Sequence, residues 1–393
     1  MHTPPTLWTR TLLAVLLISA NSNPVFSQEE PLSLSNKEAV VRVVKGPVNS
    51  YYTYSHSNAF LPDGHTFVAA QREGAKTRFI AIDPTKNTQT PVGEVENIRM
   101  FYSISSNGLL VFITNDMKLE LLDITKPGTP PKVVAQALES WRYSQSPDIS
   151  ADGRQITVDR HEYTARRHII SVYNVETGKE RIVTEKSWLA NHACFFPTDN
   201  DWIMFVHSGN NLQEIKDSQI EGRIWAWNEE KYPAGKMIFT QKDESRVLST
   251  THPIPMYHKR SILFVMDPES IGMSPGLYEV NTEGEYRCVS PSDYDLHCNI
   301  SRDGRLAVVD TRKIVNEPSI AHPKTSSRIS DIVLVNMANG KRLFLYRSTM
   351  KSHPYHVHPH ISPDGRWIVF TDFDEKRAMA LELNPEAIRK LLE

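Results

Sequence analysis

One short unit recurs seven times along this chain, and that recurrence constrains the fold more than any other feature. Its clearest copy is HPHISPDGRWIVFT at residues 358–371, an apolar strand, an Asp-Gly turn and a second apolar strand. Related units begin at Ser57, Tyr102, Pro147, His192, His252 and His297, the one at His252 being the most degenerate. An Asp-Gly or Asn-Gly pair supplies the positive φ of a tight hairpin. The alternation of apolar residues on either side marks two half-buried strands. A second strand pair follows each unit, at residues 78–83, 119–123, 169–174, 223–227, 277–280, 331–335 and 379–383. The turn glycines Gly64, Gly108 and Gly153 lie 44 and 45 residues apart, the length of one four-stranded propeller blade. His192 to His252 and His297 to His358 span 60 and 61 residues, which predicts inserted loops. The sequence therefore predicts an all-β chain, a seven-bladed β-propeller with four antiparallel strands per blade. Residues 39–44 would close the ring by completing the last blade beside residues 379–383. Residues 385–393 predict one short amphipathic helix.

The N-terminus reads differently. Arg10 precedes the apolar run of residues 11–20, too short to span a bilayer and suited to a signal-peptide core. Small residues at Val25 and Ser27 suit cleavage near Gln28. The expected layout is a signal peptide at 1–27, a linker at 28–37 and one propeller domain at 38–393, with the mature protein periplasmic or secreted. No later stretch is long enough for a transmembrane helix, and no cysteine suits a lipid anchor. A formal net charge of −2 over 393 residues favours neither nucleic acid nor an anionic membrane as partner. Cys194, Cys288 and Cys298 are odd in number and match no zinc spacing. They are expected as buried thiols in strands, with a Cys288–Cys298 disulfide as the alternative in an oxidising compartment.

The chain has fifteen histidines, and their placement matters more than their number. His192, His252, His297 and His358 open the first strand of their repeats, and His56 lies just before the first unit. In a propeller the first strand of each blade lines the central channel, so these residues converge although they are far apart in sequence. His360 follows two residues after His358, on the same face of a regular strand. His353 and His356 lie just upstream, and His207 closes the second strand of its unit. For any one histidine, lining the channel as a hydrogen-bonder is the simpler role. Together, His297, His358 and His360 suit a metal site, because several imidazoles from rigid strands can meet at one point. Such ligation suits zinc, manganese, iron, nickel or copper. Rival chemistry is weak. Gly272, Ser274 and Gly276 have the spacing of a nucleophile elbow, but they join two strands and no helix follows. The Asp63-Gly64 and Asp364-Gly365 pairs are turn residues.

Several of these segments resemble oligogalacturonate lyases. They are His358-Pro-His360 with its Pro-Asp-Gly turn, His297 leading into residues 302–310, and Thr251 with His252. A further stretch runs from Asn191 and His192 through residues 195–199 and 205–209 to Arg223 and Trp225. The resemblance runs unevenly from near residue 50 to the end. It implies a seven-bladed propeller that holds Mn²⁺ through three histidines and a glutamine and cleaves acidic oligosaccharides by β-elimination to unsaturated uronates. By position, His297, His358 and His360 match the imidazole ligands. Tyr355 stands three residues before His358, where that family has glutamine, which leaves His356 or a water for the fourth place. His207 matches the base, and Arg223 matches an arginine that holds the sugar carboxylate. His56, His192 and His252 are then alternates or supports. Two other readings remain open at this point. One is a lyase for another uronate polymer, such as a sulfated ulvan-type polysaccharide. The other is a non-catalytic periplasmic binding propeller of the TolB-like kind, which shares the Pro-Asp-Gly repeat and needs no converging histidines.

Overall fold

In the computed structural model the repeats become seven sheets, each starting at the channel and running outward. The structure describes residues 34–144, 146–162, 164–208, 221–314, 328–350 and 353–393. The signal peptide expected at 1–27 lies outside them. Blade 1 is Ser50–Tyr51, Phe67–Glu73, Lys76–Asp83 and Thr88–Glu96; blade 2 is Ile98–Ile104, Leu109–Thr114, Lys118–Asp123 and Lys132–Gln136. In blade 3 the innermost strand is split into Arg142–Tyr143 and Asp148–Ile149, both paired with Gln155–Glu162, and Arg167–Asn174 and Glu180–Lys186 follow. Blade 4 is Ala190–Phe196, Asp199–His207, Ile224–Asn228 and Tyr232–Met237; blade 5 is Thr250–Pro255, Ser261–Met266, Gly276–Asn281 and Tyr286–Pro291. Blade 6 contains Asp295–Ile300, Leu306–Thr311, Arg328–Asn336 and Arg342–Met350, with Lys313–Ile314 as a short extra strand on Arg328–Asn336. The seven-bladed, four-stranded architecture expected from the repeat is thus the fold. Blades 4 and 6 are the two long repeats, and residues 209–220 and 315–327 within them lie outside the described residues.

The local reason for the repeat is a serine–aspartate turn. Ser150 Oγ donates to Asp152 at 2.6 Å, Ser301 to Asp303 at 2.7 Å and Ser362 to Asp364 at 2.6 Å. Each serine oxygen then accepts the amide that starts the next strand, from Gln155, Leu306 and Trp367. The glycine after each aspartate has φ near +72°, where a Cβ is strained. At Gly304 a Cβ would also lie 2.1 Å from the His258 ring.

Ring closure uses both ends of the chain. Val40–Lys45 is the outer strand of blade 7, on Arg377–Leu383, with Val40 opposite Leu383 and Lys45 opposite Met379. The inner strands of that blade are His360–Ile361 and Trp367–Asp372. An unexpected addition is Leu34–Ser35, inside the stretch read as linker, which pairs with Arg342–Met350 on the outer edge of blade 6. The terminal helix Pro385–Leu392 starts at Asn384, whose side chain accepts the Glu386 amide at 3.0 Å. It buries Leu391 in the apolar cluster of Ala39, Val40 and Leu345. Inner strands are also tied around the channel: Asp148 accepts from Ser103 Oγ at 2.8 Å and from the Phe195 amide at 3.0 Å. Burial raises its pKa to about 6.

Cys194 and Cys298 are buried thiols, as expected, while Cys288 is free and exposed. The Cys288–Cys298 disulfide is not formed. Cys288 sits on the outermost strand of blade 5 and Cys298 on the innermost strand of blade 6, so the two thiols lie at opposite radii. Among the described residues no helix is long and apolar enough to cross a membrane.

Candidate functional site

The same irregularity marks the inner strand of four blades. In blade 4 the partners run from Asn191↔Val206 to Cys194↔Met204, three residues against two. Blade 5 shows it between Thr251↔Val265 and Ile254↔Leu263, and blade 6 between Asp295↔Thr311 and Cys298↔Val309. In blade 7 His360 pairs with Val369 while Val357 accepts the Thr371 amide, again three against two. Each is a β-bulge, which inserts one residue, bends the strand and re-aims a side chain. The bulges contain His192, His252, His297 and His358. Three of these, His192, His252 and His358, have left-handed backbone with φ of 53°, 46° and 40°. Such a conformation costs a non-glycine residue on the order of 1–3 kcal/mol, so the chain spends stability to aim these rings.

The rings meet. His252 and His297 have centroids 4.0 Å apart, and His297 and His358 4.4 Å. His356 is 5.6 Å from each of His297 and His358, and His353 stacks on His356 at 3.8 Å. The candidate ligand nitrogens of His297, His356 and His358 all lie within 4.8 Å of one another, the one such group of histidine, cysteine or acidic side chains among the described residues. Tetrahedral ligation needs nitrogens roughly 3.4 Å apart, which small side-chain rotations from this geometry supply.

The electrostatics also fit a cation. His358 is fully buried, and neither of its ring nitrogens has a hydrogen-bond partner among the described residues. Leaving a buried polar atom unsatisfied costs about 1–3 kcal/mol, and a metal removes that penalty. His297 Nδ1 lies 2.9 and 3.0 Å from the two carboxylate oxygens of Asp310, which also accepts the His297 amide at 2.7 Å. That bracket keeps the proton on Nδ1 and leaves Nε2 to act as ligand. Asp310 is fully buried, and burial pushes its pKa up to about 7. Burial holds His297 and His358 well below the ordinary imidazole range, so they stay in the neutral form that binds metal. Exposure grades outward, from buried His358 and His297 through half-buried His356 to exposed His353.

Not every expected residue joins this group. His360 is buried against the Tyr52 ring at 4.8 Å, its Nδ1 3.0 Å from the His358 carbonyl. The bulge at His358 is the reason. In a regular strand residues 358 and 360 share a face, but one inserted residue breaks the alternation. The bulge instead pairs His358 with His356, and the residue three positions before His356 is His353. Tyr355 is half-buried between Tyr51 and Phe373, at 6.5 and 6.3 Å, in the packing of blades 1 and 7. His56 lies 4.9 Å from Tyr54 and 5.8 Å from His192.

His207 ends its strand half-buried and stacks on Trp188 at 3.9 Å. Its amide donates to the Arg223 carbonyl at 2.8 Å. Burial, then the Arg223 charge, then His168 lower its pKa to about 4. Arg223 is half-buried as a residue with its Nε covered, and its charge also depresses His192 and His252 and acts on Tyr54. Its charge thus reaches both His207 and the converging rings.

Sequence reasoning passed over Tyr54, Asp310 and Trp188. Tyr54 lies 4.9 Å from both His56 and His358 and stacks on His192 at 5.3 Å. Alternation through Tyr52 and Tyr54 toward His56 was the available signal. For Asp310 it was an acid ending the apolar run Leu306–Val309. Nothing in the sequence marks Trp188 as the partner of His207.

The fold is shared with known proteins. An oligogalacturonate lyase in complex with manganese superposes with a TM-score of 0.70, at 19% identity over 88% of this chain and 94% of that one. An oligogalacturonate lyase from Vibrio parahaemolyticus gives 0.68, at 15% identity over 88% and 94%. A TolB-type protein from Agrobacterium tumefaciens gives 0.50, at 14% identity over 79% and 99%. No protein-family description and no curated protein matches the chain. At these identities the likeness defines an architecture, that of the seven-bladed propellers. Within it, this chain has the fold of the oligogalacturonate lyases, as the resemblance in its sequence implied.

Proposed function

We propose that the protein is a metal-dependent lyase that cleaves acidic oligosaccharides, short oligogalacturonides first, by β-elimination. The observation that carries this reading is the buried convergence of His297, His356 and His358 with Asp310 behind His297. His207 and Arg223 are the proposed reacting partners. The ligand set we propose takes His356 where sequence position suggested His360, with His353 for the fourth place. The ion is divalent, and manganese is the first candidate because a protein of the same fold is described with it.

β-Elimination removes the proton α to a uronate carboxylate and expels the sugar linked at C4. When bound, the cation neutralises that carboxylate and stabilises the charge that builds as the proton leaves. Arg223 donates to the same carboxylate and holds the sugar in register. His207 is neutral at pH 7, and its lone pair takes the C5 proton. The C5–H electrons form the C4–C5 double bond, the C4–O bond breaks, and the departing oxygen is protonated by His207 or water. Trp188 covers one face of the His207 ring and fixes its direction. The buried His358 and His297 keep water from the centre, which strengthens these charge interactions.

We further propose export through residues 1–27, giving a periplasmic or secreted propeller of residues 38–393 after a linker at 28–37. The partner is the acidic sugar chain, with neither nucleic acid nor membrane involved. A TolB-type binding propeller is the second reading; its fold likeness is weaker, and the converging imidazoles also favour the lyase. The test is ultraviolet absorbance of unsaturated product from di- and trigalacturonate, alongside ulvan-type polymer, with chelator and with manganese restored. Product from galacturonides that chelator abolishes and manganese restores supports the proposal. Product from the other polymer alone moves the substrate, and no product from any, with no retained metal, leaves the binding propeller.

A further inference from the structure

The histidine group lies across a seam between two sheets. His297 comes from the inner strand of blade 6, while His356 and His358 come from the segment that leads into the inner strand of blade 7. These strands belong to different sheets, so strand pairing does not set the distance across the seam. Apolar packing presses the blades together, but it is non-directional.

One side chain crosses the seam beside the ligands. Asn299 stands two residues after His297 and is only 1% exposed. Its Oδ1 accepts the amide of Ile361 in blade 7 at 3.4 Å. Its Nδ2 donates to the carbonyl of Ser55 at 3.1 Å. Ser55 lies in blade 1 between His56 and Tyr54, whose ring is 4.9 Å from His358. A backbone amide only donates and a carbonyl only accepts, so the two partners fix which way the Asn299 amide points. One planar group thus joins the strand of His297 to the strand that follows His358 and to the segment packed on His358.

The repeat uses this place as a link elsewhere. Asn299 is five residues before the turn glycine Gly304, and Ser103, Asp148 and His360 stand at the same place before Gly108, Gly153 and Gly365. Each reaches the next blade. Ser103 Oγ donates to Asp148 at 2.8 Å, Asp148 accepts the Phe195 amide at 3.0 Å, and His360 packs on Tyr52 of blade 1 at 4.8 Å. Of these links, the one made by Asn299 crosses between the two blades that share the ligand group.

Resting on the metal-centre reading above, we propose that Asn299 is a positioning residue for the cation. By tying blade 6 to blades 7 and 1 it holds His297 at a set distance from His356 and His358. The ligand nitrogens then close on an ion by side-chain rotation, without movement of the sheets. Such preorganisation raises affinity, because less ordering remains to be done on binding.

The test measures manganese affinity by competition with a chelating dye, on the full chain and well below its melting temperature. Asn299→Ala should weaken manganese about tenfold or more, the range for removing a group that supports a ligand. Ser103→Ala breaks the equivalent link between blades 2 and 3. It should lower the melting temperature measured in chelator and leave manganese affinity unchanged. Asn299→Leu keeps a branched side chain with neither bond; it should repeat the loss, and it decides the matter if Asn299→Ala does not fold. Unchanged manganese affinity in a folded Asn299 variant overturns the proposal. So does an equal loss in Ser103→Ala, which would mean that any loosening of the ring is felt at the centre. If the parent makes unsaturated product that chelator abolishes while Asn299→Ala holds manganese as the parent does, the positioning role alone fails. If the parent binds no manganese, that role and the metal-dependent reading fall together.

Discussion

His297 and His207 are the same amino acid at the same channel mouth, and their surroundings prepare them for different work. His297 is enclosed, with a buried carboxylate on Nδ1 and other imidazoles around it. A carboxylate behind an imidazole raises its donor strength and fixes its tautomer, which suits a ligand. His207 is placed otherwise: an indole face covers one side, and the Arg223 charge acts on the ring. Burial first, and then that cation, disfavour a positive charge on the ring, so it stays neutral with its lone pair free of a proton. The contrast teaches that second neighbours, more than residue type, divide the proposed ligand from the proposed base.

Four measurements break or sharpen this contrast. The largest effect is expected from His207→Ala, which should lower kcat by ~10²–10⁴-fold while the bound manganese, read by elemental analysis, stays constant. Loss of metal in that variant would merge the two roles. Asp310→Asn should weaken manganese by ~10–100-fold in competition with a chelating dye, and unchanged affinity would show that the carboxylate does not support the ligand. The pH profile of kcat/KM at saturating manganese comes next. A base must be unprotonated, so the rate should fall as pH drops through about 4, the value burial and Arg223 impose on His207. An acid limb near the ordinary imidazole value would deny His207 that role. Arg223→Gln removes the nearby cation and should move the limb upward. The smallest effect on metal is expected from His360→Ala, which should leave manganese content intact beside a marked loss in His356→Ala. The reverse order would restore the 358/360 pair as ligands.

Much of this architecture was legible before any coordinates. The blade count, the hairpin turns, closure by residues 39–44 and the terminal helix all follow from local patterns. Asp-Gly at fixed spacing dictates a positive φ, and period-two alternation dictates a strand with one face in the core. The convergence of His192, His252, His297 and His358 was legible for the same reason, since equal repeat positions take equal places in a ring. What failed to show was the bulge at His358. A single inserted residue leaves no mark in composition or spacing, yet it reverses which neighbours share a face, and so His356 replaces His360 beside His358. Tyr355 reads as the place of a ligand along the chain, yet the structure packs it between Tyr51 and Phe373.

The chain by itself determined the ring, its seven sheets and the set of histidines near the axis, because those depend on turn chemistry and alternation within a few residues. Only the folded ring decided which imidazole faces which, that Asp310 braces His297, and that Trp188 covers His207. These pairings join residues tens to hundreds of positions apart. Their distances are set by bulges, blade packing and burial acting together, and none of these is a property of any short stretch of sequence.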